Sequence, residues 1–222
     1  MRKYLFATFL VGAASALTVG LGAVPVVAAT ATWTVTPGGA FTTLSPAIHS
    51  HLTDTTTGTA LLCQGLAIDG AFKSGSGLTN PIGQITGAHG ASPGPLLCGS
   101  STPFGITFSH FPMGIRAVSY DASTGVTTGV ITGIHITLST APGAPACTGT
   151  IDGTGANANN GKVHFSFFNS GGELHFNVRS NLHAYNVSGC SGLILSGDAI
   201  SYRAITDPRN TTSAMTYTIT SP

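Results

Sequence analysis

Eight histidines and seven carboxylates are the side chains in these 222 residues best suited to acid–base or metal chemistry. His49-Ser-His51 presents two rings on one side if its backbone is extended, and His164 and His175 share one face of a hairpin. Imidazole pairs hold zinc or copper only when a third and fourth ligand converge. No spacing supplies those ligands, so the expectation is no metal and no cofactor. Among the carboxylates, Asp54, Asp121 and Asp207 stand in turn-like sequence. Asp69 and Asp152 each sit in an Ile-Asp-Gly motif, and a two-carboxylate hydrolase would have to draw on them. Aspartate ahead of glycine also caps turns, which is the preferred reading for both. Asp152-Gly-Thr-Gly lacks the residue order of an aspartic protease, and no Gly-x-Ser-x-Gly elbow occurs. No catalytic residue is assigned.

The four cysteines, Cys63, Cys98, Cys147 and Cys190, allow three pairings. Cys63–Cys98 with Cys147–Cys190 is favoured, because each bond then closes a local excursion. A loop of that length stabilises by about 3–4 kcal/mol in the chain-entropy picture. No Cys-x-x-Cys spacing suggests zinc.

Disulfides belong to an oxidising compartment, and the amino terminus points the same way. Arg2 and Lys3 precede an apolar run from Tyr4 to about Ala28, followed by the small residues Val27 to Ala31. This order predicts a secretory signal peptide over 1–31, cleaved after Ala29 or Ala31. The run is long enough to cross a bilayer, but Gly12, Gly20, Gly22 and Pro25 punctuate it. Cleavage and release are therefore expected, with no stable membrane anchor afterwards. Residues 32–222 then form a single all-β secreted, extracellular domain.

Without Arg2 and Lys3, six basic residues face seven acidic ones, and the cations are scattered singly. That pattern excludes a nucleic-acid partner, which needs a basic stripe. Only 7% of the chain is charged, against roughly 25% in ordinary soluble domains. Thr, Ser, Asn and Gly carry the surface polarity instead.

The elements that must position these groups are strands. Alternation of period two dominates after the leader, with Gly, Pro, Asn and Asp between the runs. The spacing predicts ten to twelve short strands in an antiparallel β-barrel or a two-sheet β-sandwich. In Val130–Leu138, simple alternation puts Val130, Thr132, Ile134, Ile136 and Leu138 on one face. Ile115–Tyr120 enters a hairpin through Asp121–Gly125. Lys162–Phe168 pairs with Glu173–Val178, burying Val163, Phe165 and Phe167 against Leu174, Phe176 and Val178. Asp152–Gly161 reads as a mobile loop tip. Trp33 is expected in the core. A faint repeat relates Cys63–Gly70 to Cys147–Gly153.

Ser119–His135, the Thr32–Gly39 opening, Asp54–Gly58 and Asn181–Cys190 resemble uncharacterised small secreted proteins of high-GC Gram-positive (actinobacterial) bacteria. The resemblance implies export and disulfides and carries over no catalytic residue. The function expected is a non-enzymatic binding or surface-associated module, with carbohydrate, an apolar small molecule in a barrel mouth, or a second copy as partner. An exported hydrolase acting on an extracellular polymer is the alternative.

Overall fold

The computed structural model describes residues 31–45, 50–91, 94–99, 103–210 and 216–221. Residues 1–30 of the expected leader, Ala29 included, and His49 lie outside the described residues. Eighteen strands occur among them, more than the ten to twelve expected. Much of the excess is pieces such as Gly75–Leu78, Leu96–Cys98 and Arg209–Asn210, too short or too glycine-rich to alternate in sequence.

Two antiparallel sheets form most of the molecule. The first runs β17 (Arg209–Asn210), β2 (Gly39–Ser45), β5 (Leu66–Phe72), β7 (Gly83–Gly90), β10 (Met113–Asp121), β11 (Val126–Thr140), β13 (Gly161–Phe168), β14 (Glu173–Ser180) and β16 (Ala199–Thr206). The second runs β8 (Leu96–Cys98), β9 (Phe104–Ser109), β11, β12 (Cys147–Asp152), β15 (Leu182–Gly189), β16, β3 (His51–Asp54) and β4 (Thr59–Leu62). A smaller sheet orders β18 (Thr218–Thr220), β1 (Trp33–Thr36) and β6 (Gly75–Leu78). Because β11 and β16 belong to both large sheets, β11, β13, β14, β16, β15 and β12 close into a ring. Barrel and sandwich are thus two descriptions of one arrangement, with strands that turn the corner between sheets.

The corner in β11 is a glycine bulge. Residues up to Ile134 pair with β13, and those from His135 pair with β9. The register shifts between Thr132 and Ile134, where Gly133 has φ +86°. That left-handed conformation suits glycine and inserts one extra residue. Simple alternation therefore fails here. Thr127, Gly129 and Ile131 face inward before the bulge, and Ile134, Ile136 and Leu138 after it, leaving Val130 and Thr132 off the core face.

Both expected hairpins form. Asp121 Oδ1 accepts the Ser123 N–H at 2.9 Å, and Gly125, at φ +68°, closes the first turn. In the second hairpin Val163, Phe165, Phe167, Leu174 and Phe176 are buried, but Val178 is 61% exposed. Phe165 pairs with Phe176 while Val163 pairs with Ser180, so β14 carries a bulge that expels Val178. Trp33 is buried as expected.

The disulfides are Cys63–Cys98 and Cys147–Cys190. Each joins chain segments already paired. Cys63 bridges Cys98 in register, and Cys190 follows Gly189, the partner of Cys147. No helix among the described residues is long and apolar enough to cross a membrane.

Candidate functional site

The β14 bulge reshapes the outer face of the first large sheet. On β13, inward Phe165 and Phe167 leave Ser166 and Phe168 on the outer face. On β14 the same alternation turns His175 and Asn177 outward, and the bulge adds exposed Val178 and Arg179 beside them. Exposed Arg203 comes from β16, next along the sheet. Together these side chains line an open groove of about 440 Å³.

Local contacts hold its walls. Asn177 Nδ2 donates to Ser166 Oγ at 3.3 Å. The His175 ring lies 4.5 Å from that of Phe168, and its Nε2 is 2.8 Å from Glu173 Oε2. No acidic side chain among the described residues lines the groove. Among the described residues, Arg179 and Arg203 have no carboxylate within ion-pairing distance. Two of the six lysines and arginines that follow residue 31 thus face one groove that carries amide and hydroxyl groups and an aromatic ring. Such a set holds polar, planar or anionic groups.

A second cluster lies at the β11 corner. His135 and Asp152 stand one step beyond the Ile136–Ile151 pair of β11 and β12 and are 4% and 0% exposed. His135 Nδ1 and Asp152 Oδ2 are 2.7 Å apart. A carboxylate accepts only, so the imidazole N–H donates. The same carboxylate accepts backbone N–H bonds from Gly153 at 2.8 Å, Asn159 at 3.0 Å and Asn160 at 3.1 Å. Burial pushes the Asp152 carboxyl up. His135 and the three N–H groups outweigh it and hold the acid below its ordinary value. The loop expected to be a mobile tip is therefore tied at its base, and Asn160 Oδ1 also accepts the Thr154 N–H. Over His135 lies the ring of His110, edge to face at 4.7 Å, and Ser109 Oγ is 3.2 Å from His110 Nδ1. The serine contact is to one histidine and the aspartate contact to the other, so no Ser-His-Asp relay is formed by these bonds.

Asp69 behaves differently from its motif partner. It lies within strand β5, half exposed, with His89 Nε2 3.8 Å away, and does not cap a turn. The Ile-Asp-Gly resemblance thus places two aspartates in unlike surroundings. Asp54 and Asp121 are turn residues as expected. Burial raises the Asp54 carboxyl, but the Thr57 hydroxyl and the N–H groups of Thr57 and Thr56 prevail and lower it overall.

The remaining histidine expectations fare unevenly. His164 and His175 do share a face, offset diagonally because His175 pairs with Ser166. His51 lies opposite Arg203, and its sequence partner His49 is outside the described residues. Among the described residues no three His, Cys, Asp or Glu side chains gather as a metal requires.

Between the sheets, Ile68, Ile131, Phe108, Leu182 and Tyr202 help enclose an apolar cavity of about 40 Å³. That is far below the roughly 300 Å³ at which small-molecule pockets begin. Burial pushes the Tyr202 hydroxyl well above its ordinary value, and it hydrogen-bonds Ser50.

Sequence reasoning singled out His175 and Asp152 but missed Arg179, Arg203 and His135. The arginines read as isolated because the bulge and the β14–β16 pairing that gather them leave no mark in composition. Comparison of the chain with protein-family models, curated proteins and solved structures finds no match.

Proposed function

We propose that the mature chain is an extracellular, non-enzymatic binding module that takes a carbohydrate ligand in the groove of β13, β14 and β16. The observation that carries this reading is the convergence of Ser166, Phe168, His175, Asn177, Arg179 and Arg203 on one open groove of about 440 Å³. Sugars are bound by this mixture, with a ring face against an aromatic and hydroxyls against amides. The 40 Å³ interior argues against an apolar ligand held between the sheets. Two closed disulfides support an oxidising location.

The alternative, an exported hydrolase, draws on His135 and Asp152. Every hydrogen bond described for Asp152 is used in holding the Gly153–Asn160 loop and His135. Neither residue lines the groove.

Affinity electrophoresis of the secreted protein through gels containing soluble polysaccharides tests the proposal, with reducing ends measured on the same polymers. Retardation without new reducing ends is the expected result. New reducing ends that vanish in Asp152→Asn would establish the hydrolase. Unreduced mass spectrometry of the same sample should find the chain starting at Thr30 or Thr32. An intact leader with free thiols would refute export.

A further inference from the structure

The groove has a sign as well as a shape. Two exposed guanidinium groups flank it, no acidic residue lines it among the described residues, and Glu173 at its margin is engaged by His175 at 2.8 Å. On a chain of which only 7% is charged, most of the surface offers a ligand no charge at all. Arginine presents a planar fork of donors that matches the two oxygens of a carboxylate. In the same groove Phe168 and, further along β14, expelled Val178 provide apolar surface, and Asn177 and Ser166 provide polar groups.

We infer that the groove selects an acidic saccharide, a pyranose unit bearing a carboxylate, with Arg179 and Arg203 holding the carboxylate. This rests on the binding reading above and narrows it. The ring lies against Phe168, and its hydroxyls meet Asn177 and Ser166. The charge supplies selectivity for the acid over its neutral counterpart, since an ester in the same place offers the two guanidinium groups neutral acceptors in place of a charged one.

Calorimetric titration with trigalacturonate, its methyl ester, and sodium sulfate alone tests this. The acid should bind at least about tenfold more tightly than the ester, as charge-assisted hydrogen bonds exceed neutral ones. Raising the salt from about 0.05 to 0.5 M should weaken the acid and leave the ester unchanged. Arg179→Ala with Arg203→Ala should remove the preference while near-native amide spectra show an intact fold. Equal binding of acid and ester, lost together in Phe168→Ala, would overturn the acid preference and keep the sugar site. Sulfate binding as tightly as the trisaccharide would overturn the saccharide and leave only an anion site. No binding of either sugar would overturn the groove itself.

Discussion

His135 Nδ1 stands 2.7 Å from Asp152 Oδ2 across the β11–β12 pair, with both residues sealed from solvent. The pair joins three things that the sequence separates: the strand corner at Gly133, the second large sheet, and the loop that leaves β12.

Asp152→Ala leaves three backbone N–H groups and a buried imidazole without their acceptor. A loss of about 2–4 kcal/mol is expected, in line with breaking buried charge-assisted bonds. Urea unfolding at neutral pH measures it. A loss below about 0.5 kcal/mol would show that the loop is held by other means.

The same carboxyl gives a pH signature. Its acid strength is raised by folding, so the folded value lies below the unfolded one. Its contribution is complete above the ordinary value of 3.8 and disappears as the pH falls through the lowered value. The stability gap between the native protein and Asp152→Asn should therefore narrow below about pH 4. Melting curves across pH 2–7 check this, and a gap that widens toward acid would contradict the assignment.

Glycine opposite phenylalanine recurs in the sheet, and it yields a packing test. Gly129 faces Phe165 in register, and a Cβ there would stand 2.3 Å from the ring and 2.4 Å from the Arg116 carbonyl oxygen. Gly129→Ala should cost about 1–3 kcal/mol by overpacking. Gly155→Ala, where a Cβ meets nothing within 4 Å, is the control and should stay within about 0.5 kcal/mol. Equal denaturation midpoints for the two would refute the close approach.

These sites mark how far the sequence could be read. Alternation revealed the all-β class and both hairpins, because burying one face of a strand imposes a period of two. The local cysteine pairing was legible for a related reason, since each bond closes a short excursion. Bulges break that logic. One extra residue at Gly133 reverses the faces of β11, and the β14 insertion exposes Val178. Nothing in either run announces the change. Arg203 comes beside Arg179 only through the β14–β16 pairing, a contact between strands distant in sequence.

Deleting Gly133 should be far more damaging than replacing it. Without the extra residue, Ile134, Ile136 and Leu138 turn to the outer face. Loss of near-ultraviolet dichroism and of dispersed amide signals is expected on deletion. Gly133→Ala, strained at φ +86°, should cost about 1–2 kcal/mol and keep the fold. A well-folded deletion variant would show that the extra residue at Gly133 does not set the corner in β11.

Ligand binding on the outer face of β13, β14 and β16 is most directly tested by mapping amide shifts as an acidic oligosaccharide is titrated into the isotope-labelled protein. Saturable shifts concentrated at Ser166, Phe168, His175, Asn177, Arg179 and Arg203 are the predicted result. Shifts centred instead on His110, His135 and Asp152, or none at saturating ligand, would contradict it.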